Sequence, residues 1–231
     1  MKYQKVRIAK FLSRPNRFIA EVELDGRIEI VHVKNTGRCK ELLIPGARVF
    51  LSDEMSEKRK TRYDLIAVEK VLPDGTVLLI NLDSQAPNQV AFEFFRSGDL
   101  FSDSAEIHRE VKFGNSRFDF AIDDKGKRTF VEVKGVTLEN EGVVLFPDAP
   151  TERGVKHIRE LIEAKKMGFG AMVFFVIQLK GVKYFSPNDK THKEFGAALR
   201  EADREGVVIR AFDCEVTKDS LKISRQVEIK L

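Results

Sequence analysis

Three ionisable residues stand where a chain usually keeps apolar ones. Residues 130–138 read FVEVKGVTL, placing Glu132 and Lys134 on either side of Val133. Upstream, residues 116–122 read SRFDFAI, with Asp119 between Phe118 and Phe120. Both segments alternate as strands do. In the first, Phe118, Phe120 and Ile122 share one face and Arg117, Asp119 and Ala121 the other. In the second, Val131 and Val133 share one face and Phe130, Glu132 and Lys134 the other. The turn sequence Asp124-Lys125-Gly126 joins them as a hairpin, so the apolar faces align and Asp119, Glu132 and Lys134 gather opposite. Two carboxylates and an ammonium on a covered sheet are costly unless they are used. Two carboxylates can hold Mg²⁺ or Mn²⁺ beside a phosphate oxygen. Such an ion polarises the phosphoryl group and lowers the pKa of a bound water. A neighbouring lysine orients or deprotonates that water and offsets charge in the transition state. A surface salt pair is the structural alternative for Glu-x-Lys. The acid on the preceding strand, the apolar flanks and the helix that follows favour the chemical reading.

That helix is written in TERGVKHIRELIEAKKMG, whose stripe Val155, Ile158, Leu161 and Ile162 repeats at helical spacing and stops at Gly168. Asp148 or Thr151 caps it. Arg153 and His157, four apart, share a face and can reach a phosphate bound at the sheet. Around this core, residues 87–97 form a first helix, EIHREVKF a strand before the hairpin, and AMVFFVIQL a strand covered on both faces. A polar helix near residues 188–205 and the strand GVVIRAF complete the order αβββαβαβ. This order defines an α/β domain. An acid on one strand with Glu-x-Lys on the next, in this order of elements, resembles the core of the PD-(D/E)xK nuclease superfamily.

The first eighty residues differ. VRIAKFL, RFIAEVEL, RIEIVHVK, ARVFLSDE, YDLIAVEKVL and TVLLINLD are short strands, punctuated by turns at SRPN, Asp25-Gly26 and Pro73-Asp74-Gly75. Phe18 falls in phase with Ala20, Val22 and Leu24, and both it and Phe11 fit the barrel core as well as they fit an exposed position for base stacking. A change of phase between Ile28/Ile30 and Val31/Val33 predicts a bulge. Five or six such strands with one irregular insertion, TGRCKELLIPG, predict a small Greek-key barrel of the oligonucleotide-binding (OB) type. The expected fold is thus two-domain α+β: an OB-like β-barrel over residues 1–84 and a nuclease-like α/β domain with a mixed central sheet over 85–231. The boundary is expected at DSQAPN.

SRFDFAI, FVEVKGVTL, FPDAPTERGVKHIREL and HVKNTGRCKELLIPGARVFL together resemble the sugar fermentation stimulation protein family, SfsA, along the whole chain. The resemblance implies an OB-type barrel, a nuclease-like C-terminal domain, DNA binding and a link to regulation of sugar-fermentation (maltose) genes. It carries the catalytic triad over to Asp119, Glu132 and Lys134, with Asp119 and Glu132 as metal ligands. A further acid, which some superfamily members take from the first helix, is left open between Glu93 and Glu110.

Charge distribution points to a polyanion. Residues 1–62 hold 15 Lys and Arg against 8 Asp and Glu, net +7, whereas residues 63–231 hold 25 against 28, net −3. In the first part Arg14 and Arg17 bracket a turn, and Lys34, Asn35, Arg38 and Lys40 cluster around Gly37. The expectation is DNA held mainly through its phosphates. A homodimer remains an open alternative, and no membrane partner is expected. Cys39 and Cys214 have no metal spacing, and no apolar run approaches the ~18 residues of a membrane span. The chain therefore reads as cytoplasmic. No glycine-rich phosphate loop supports a sugar-phosphate enzyme. The readings carried forward are a metal-dependent nuclease and a non-catalytic DNA-binding regulator on the same scaffold.

Overall fold

A computed structural model describes residues 1–35, 37–55 and 59–231. The chain divides into two compact units. The first comprises residues 1–86 with 178–180 and 214–222, and the second residues 87–177, 181–213 and 223–231.

The first unit begins with six strands: β1 (Val6–Ser13), β2 (Ile19–Leu24), β3 (Arg27–Val33), β4 (Arg48–Asp53), β5 (Tyr63–Val71) and β6 (Val77–Asn81). They run in the order β3-β2-β1-β4-β5-β6, and a parallel pairing of β3 with β5 closes the first five into a barrel. Closure removes the sheet edges that would otherwise stand open. Phe11, Val22, Val31, Leu51 and Leu65 fill the buried interior. The β2–β3 turn places both Asp25 (φ 52°) and Gly26 (φ 75°) in the left-handed region, as a two-residue hairpin requires. The predicted bulge in β3 is absent: β2 and β3 pair without interruption from Leu24↔Arg27 to Ile19↔His32. Val31 and Val33 point inward, while Ile28 (71% exposed) and Ile30 point outward. The apparent change of phase came from treating those two isoleucines as core. The irregularities lie instead between Phe11 and Ser13 of β1 and between Phe50 and Leu51 of β4.

The second unit opens with α1 (Ala86–Phe95), followed by β7 (Glu106–Phe113), β8 (Ser116–Asp124), β9 (Lys127–Val136), β10 (Leu138–Asn140), β11 (Val143–Phe146) and α2 (Glu152–Lys166). It continues with β12 (Gly170–Ile177), β13 (Tyr184–Pro187), α3 (Lys193–Arg204), β14 (Val208–Thr217), β15 (Ser220–Gln226) and β16 (Glu228–Ile229), except that residues 214–222, the end of β14 and the start of β15, count with the first unit. The central sheet has the order β15-β14-β12-β9-β8-β7. It is mixed: β9, β12 and β14 are parallel, and β7, β8 and β9 antiparallel. β12 is buried at every position, as a strand covered on both faces must be. A second sheet, β10-β11-β13-β16, has no counterpart in the sequence reading. Its strands of two to four residues are too short to show a period.

Phenylalanines build the core. On one face of the central sheet Phe95 of α1 packs edge-on against Phe120 (5.5 Å) and Phe174 (5.0 Å). Such pairs add about 0.5–1.5 kcal/mol beyond the area they bury. On the other face lies α2, which starts where the Thr151 side chain accepts from the Gly154 N–H at 3.1 Å, so Thr151 rather than Asp148 is the cap. Gly154 must be small: a Cβ there would stand 2.9 Å from Thr151 and 3.3 Å from Phe195. Val155, Ile158, Leu161 and Ile162 face inward.

Candidate functional site

Glu132 and Lys134 are on one face of β9, as their spacing requires. Lys134 Nζ donates to Glu132 Oε1 at 2.5 Å. Asp119 reaches the same region by a different route from simple alternation. Phe118 packs against Phe130 (5.6 Å) and the His157 ring, whereas Phe120 packs against Phe92 and Phe95. The two phenylalanines therefore lie on opposite faces, and the expectation that they share one is corrected. The alternation breaks at Asp119. The neighbouring strand breaks at the same level, where Glu110 of β7 takes φ 56° between the pairs Arg109↔Phe120 and Val111↔Phe118. The β8–β9 pairing ends at Phe120↔Val131. The next N–H, that of Val133, is received by Asp119 Oδ2 at 2.8 Å instead of by a backbone carbonyl. The two strands thus part at the acid, and the acid fills the gap in the ladder.

Two partners come from elements far away in sequence. Asn88 of α1 donates to Asp119 Oδ1 at 2.8 Å. His157 of α2 sets its Nδ1 against Glu132 Oε1 in a very short contact. Arg153 Nε donates to His157 Nε2 at 3.4 Å, so Nδ1 carries the ring proton and points it at Glu132. His157 is buried; its Nδ1 belongs with Glu132, while the ring also lines a basic cleft beside Arg153. Its helical position one turn from Arg153 was readable; the carboxylate it would meet was not.

The electrostatics of the two acids diverge. Burial and the nearby Glu132 charge push Asp119 up to about 6, against which the Val133 N–H and Asn88 offset only part. Burial also pushes Glu132 up, but His157 and Lys134 outweigh it and hold Glu132 below the ordinary carboxylate range. Glu132 is 3% exposed. Both its donors sit on Oε1, and Oε2 is buried with no hydrogen-bond partner. A buried carboxylate oxygen left unsatisfied costs free energy, and a cation is the species that would satisfy it. Oxygen donors from Asp119 and Glu132 suit a hard divalent ion such as Mg²⁺ or Mn²⁺. The first helix brings an amide, Asn88, to Asp119. Glu93 of the same helix is exposed, and its carboxylate accepts from Gln89; Glu110 is exposed on β7. Another group of ligand types, Glu106, His108 and Asp123, lies together on β7 and β8. Arg128 already binds both oxygens of Asp123 there (2.8 and 2.5 Å).

In the first unit the expected nucleic-acid residues separate into two sets. Arg14 is half-buried, and its Nη atoms donate to the carbonyls of Gly37, Arg38, Arg17 and Asn35 at 2.6–2.9 Å. Lys34 lies 3.1 Å from Asp64 and 3.6 Å from Asp83. Burial lowers its pKa, but Asp83 and Asp64 more than compensate and raise it. Asn35 turns its side-chain oxygen to the Gly37 N–H at 2.7 Å. These three organise the loop, and Arg14 also lines the groove formed by Arg17, Arg38 and Lys40, with its Nε buried and without a hydrogen-bond partner. Arg17, Arg38 and Lys40 are exposed and line a groove of about 230 Å³. Arg17 stacks its guanidinium on Phe18, 4.9 Å from the ring centroid, and Phe18 is 50% exposed. Phe18 is thus an outward aromatic beside cations, a position that its phase in the sequence left open against the core. Asn16 gives the reason: its side-chain oxygen accepts from the N–H groups of Phe18 and Ile19, holding Phe18 in a turn before β2 begins.

The fold and site define a class: a two-domain α+β protein with an N-terminal OB domain, followed by a mixed-sheet domain carrying an Asp and a Glu-x-Lys at a strand break. Family models sharpen this. The SfsA N-terminal OB domain matches residues 12–79, and the sugar fermentation stimulation protein RE domain matches residues 85–220. The chain belongs to the SfsA, or sugar fermentation stimulation protein, family. A sugar fermentation stimulation protein homolog of Desulfitobacterium hafniense is 58% identical over 231 residues, covering 100% of this chain and 99% of its own. One from Clostridium beijerinckii is 54% identical and covers 100% of both. The solved structure of Pyrococcus furiosus SfsA in complex with Ca²⁺ superposes with a TM-score of 0.86 at 30% identity, covering 100% of this chain and 98% of that one. Among the described residues no helix is long and apolar enough to cross a membrane.

Proposed function

We propose that the chain binds DNA and cleaves its phosphodiester backbone with one divalent ion, Mg²⁺ or Mn²⁺, held by Asp119 and Glu132. The observation that carries this is the buried, unpartnered Glu132 Oε2 on a carboxylate that His157 and Lys134 keep ionised. A relative described in complex with Ca²⁺ supports a divalent-ion site in the family. When bound, the ion supplies Lewis acidity at the phosphoryl group and compensates the charge that builds there. The protein's own groups do the rest. His157 anchors Glu132 through Oε1, so that Oε2 is the oxygen that would take the ion. Lys134 spends one of its three donors on Glu132 and offers the others to a phosphate oxygen. Asp119 is held by the Val133 N–H and Asn88. With an amide from α1 in place of a third acid, the site suits one ion better than two. In the first unit, Arg17, Phe18, Arg38 and Lys40 hold the strand by phosphate contact and stacking. A cytoplasmic location, with the buried thiols of Cys39 and Cys214 kept reduced, accompanies this reading.

The test is plasmid nicking and cutting of end-labelled oligonucleotides with Mg²⁺ or Mn²⁺, with and without chelator. Wild type should cut, Glu132→Gln should not, and Lys134→Ala should cut slowly while still binding Mn²⁺ by calorimetry. If duplex, single-stranded, branched and RNA substrates all survive both metals, catalysis is refuted. The second reading, a DNA-binding regulator on a nuclease scaffold, is favoured by the Arg17–Phe18 face, which requires no metal. It predicts salt-sensitive binding that survives Glu132→Gln, and no gel shift at low salt would dispose of it.

A further inference from the structure

The second unit has a cleft that neither the metal centre nor the barrel face accounts for. It occupies about 390 Å³ and is lined by Lys112, Ser116, Arg117, Arg153, Lys156 and His157, with no Asp or Glu in its lining. The hairpin joining β7 to β8 makes one wall. Phe113 pairs with Ser116, so only two residues form the turn, and Gly114 takes φ +54° at the first of them. A glycine is suited to that position. The first two turns of α2 make the other wall. Lys156 Nζ donates to the Asn115 carbonyl at 3.0 Å and lies 3.9 Å from Glu160, drawing the helix and the hairpin together.

Two observations mark this as more than a solvated basic surface. Lys112, Arg117, Arg153 and Lys156 line the cleft with no Asp or Glu in its lining, and Glu160 beside Lys156 leaves a positive excess that self-repulsion opposes unless an anion is present. Ser116, only 8% exposed, lines the cleft, and its Oγ is buried with no hydrogen-bond partner. A hydroxyl left unsatisfied at the wall of a basic cleft is an unused donor for an oxyanion. The α2 N-terminus adds the positive end of a helix dipole. His157 forms the inner wall and touches Glu132 with its other nitrogen, so an anion here sits one imidazole away from the proposed metal ligand.

We propose that this cleft is a phosphate seat that takes a backbone phosphate neighbouring the one at Asp119 and Glu132. The placement on the strand rests on the nucleic-acid reading above; the phosphate chemistry of the cleft does not. Arg117, Lys156 and Ser116 bind the oxygens, and Arg153 does so while steadying His157. Occupancy fixes the register of the strand relative to the metal centre.

The experiment uses the full chain and the double variant Arg117→Ala/Lys156→Ala, with Ser116→Ala as a milder second. Labelled single-stranded and duplex oligonucleotides are titrated in chelator across a salt series, and melting is followed in inorganic phosphate against chloride at matched ionic strength. The double variant should bind the oligonucleotide about tenfold more weakly. The slope of log affinity against log salt should fall by roughly 0.7–0.9, the loss of one phosphate contact. Its Mn²⁺ affinity should be unchanged, and the protection that phosphate gives wild type should vanish. Equal affinity, slope and phosphate protection in a folded variant would overturn the proposal, as would unchanged phosphate protection alone. A wild type that phosphate protects through these residues, but that binds no oligonucleotide, refutes the nucleic-acid reading and leaves the phosphate seat standing.

Discussion

Replacing Asp119 by Asn should make the protein more stable and useless for metal. Burial and Glu132 move the Asp119 pKa from 3.8 to about 6. For an acid, a raised folded value means that the protonated form is favoured in the native chain. Stability from this group is full below about pH 4 and is lost as pH climbs through 6. At pH 8 the ionised carboxylate costs the folded chain roughly 3 kcal/mol. Asp119→Asn removes the charge and keeps an oxygen for the Val133 N–H. The variant should therefore gain up to about 3 kcal/mol at pH 8, and the gain should shrink to a fraction of a kcal/mol at pH 4. For a chain of this size each kcal/mol moves the melting midpoint by roughly 2–4 °C. Calorimetry in chelator at pH 4, 6 and 8 measures the difference. Adding Mn²⁺ reverses the ranking: an ion at a hundredfold above its Kd stabilises wild type by about 2.7 kcal/mol, and the variant should gain almost nothing. A variant that melts below wild type at pH 8 would show that the hydrogen bonds to Asp119 outweigh its burial. A variant that gains as much from Mn²⁺ as wild type would remove Asp119 from the metal site.

His157→Ala removes a buried hydrogen-bond donor from the Glu132 carboxylate and should cost about 1.5–3 kcal/mol, read by urea denaturation at pH 7.5; a loss below 1 kcal/mol would mean that Glu132 does not depend on it. Arg14→Ala strips four carbonyls of their donor and should lower the stability of the first unit by about 2–4 kcal/mol. If Arg14→Ala instead leaves melting unchanged and abolishes binding, Arg14 is a contact residue and not a brace. Phe18→Ala should leave the melting midpoint in place, because the ring is half exposed. It should weaken single-stranded oligonucleotide binding by about 1–3 kcal/mol, and equal affinity in anisotropy titrations would remove the stacking role.

Several features could be read from near neighbours alone. Glu132 and Lys134 share a face because residues two apart in a strand must. The α2 stripe, the Asp25-Gly26 turn, the all-buried β12 and the two-domain α+β order follow from local period and turn chemistry in the same way. What failed or stayed open did so where a distant contact overrode local pattern. Alternation put Phe118 with Phe120, but the paired kink at Glu110 and the Val133 N–H taken by Asp119 split them. Asn16 pulls Phe18 out of phase with β2. Arg14 and Lys34 look like any basic loop residues until four carbonyls or two buried acids surround them. The partners of the two acids, Asn88 and His157, stand 31 and 25 residues away. Residue type and spacing thus determined which groups could do chemistry. Tertiary structure decided which are buried, which are already paired, and which oxygen remains unsatisfied, because desolvation and partner choice depend on segments that meet only after folding.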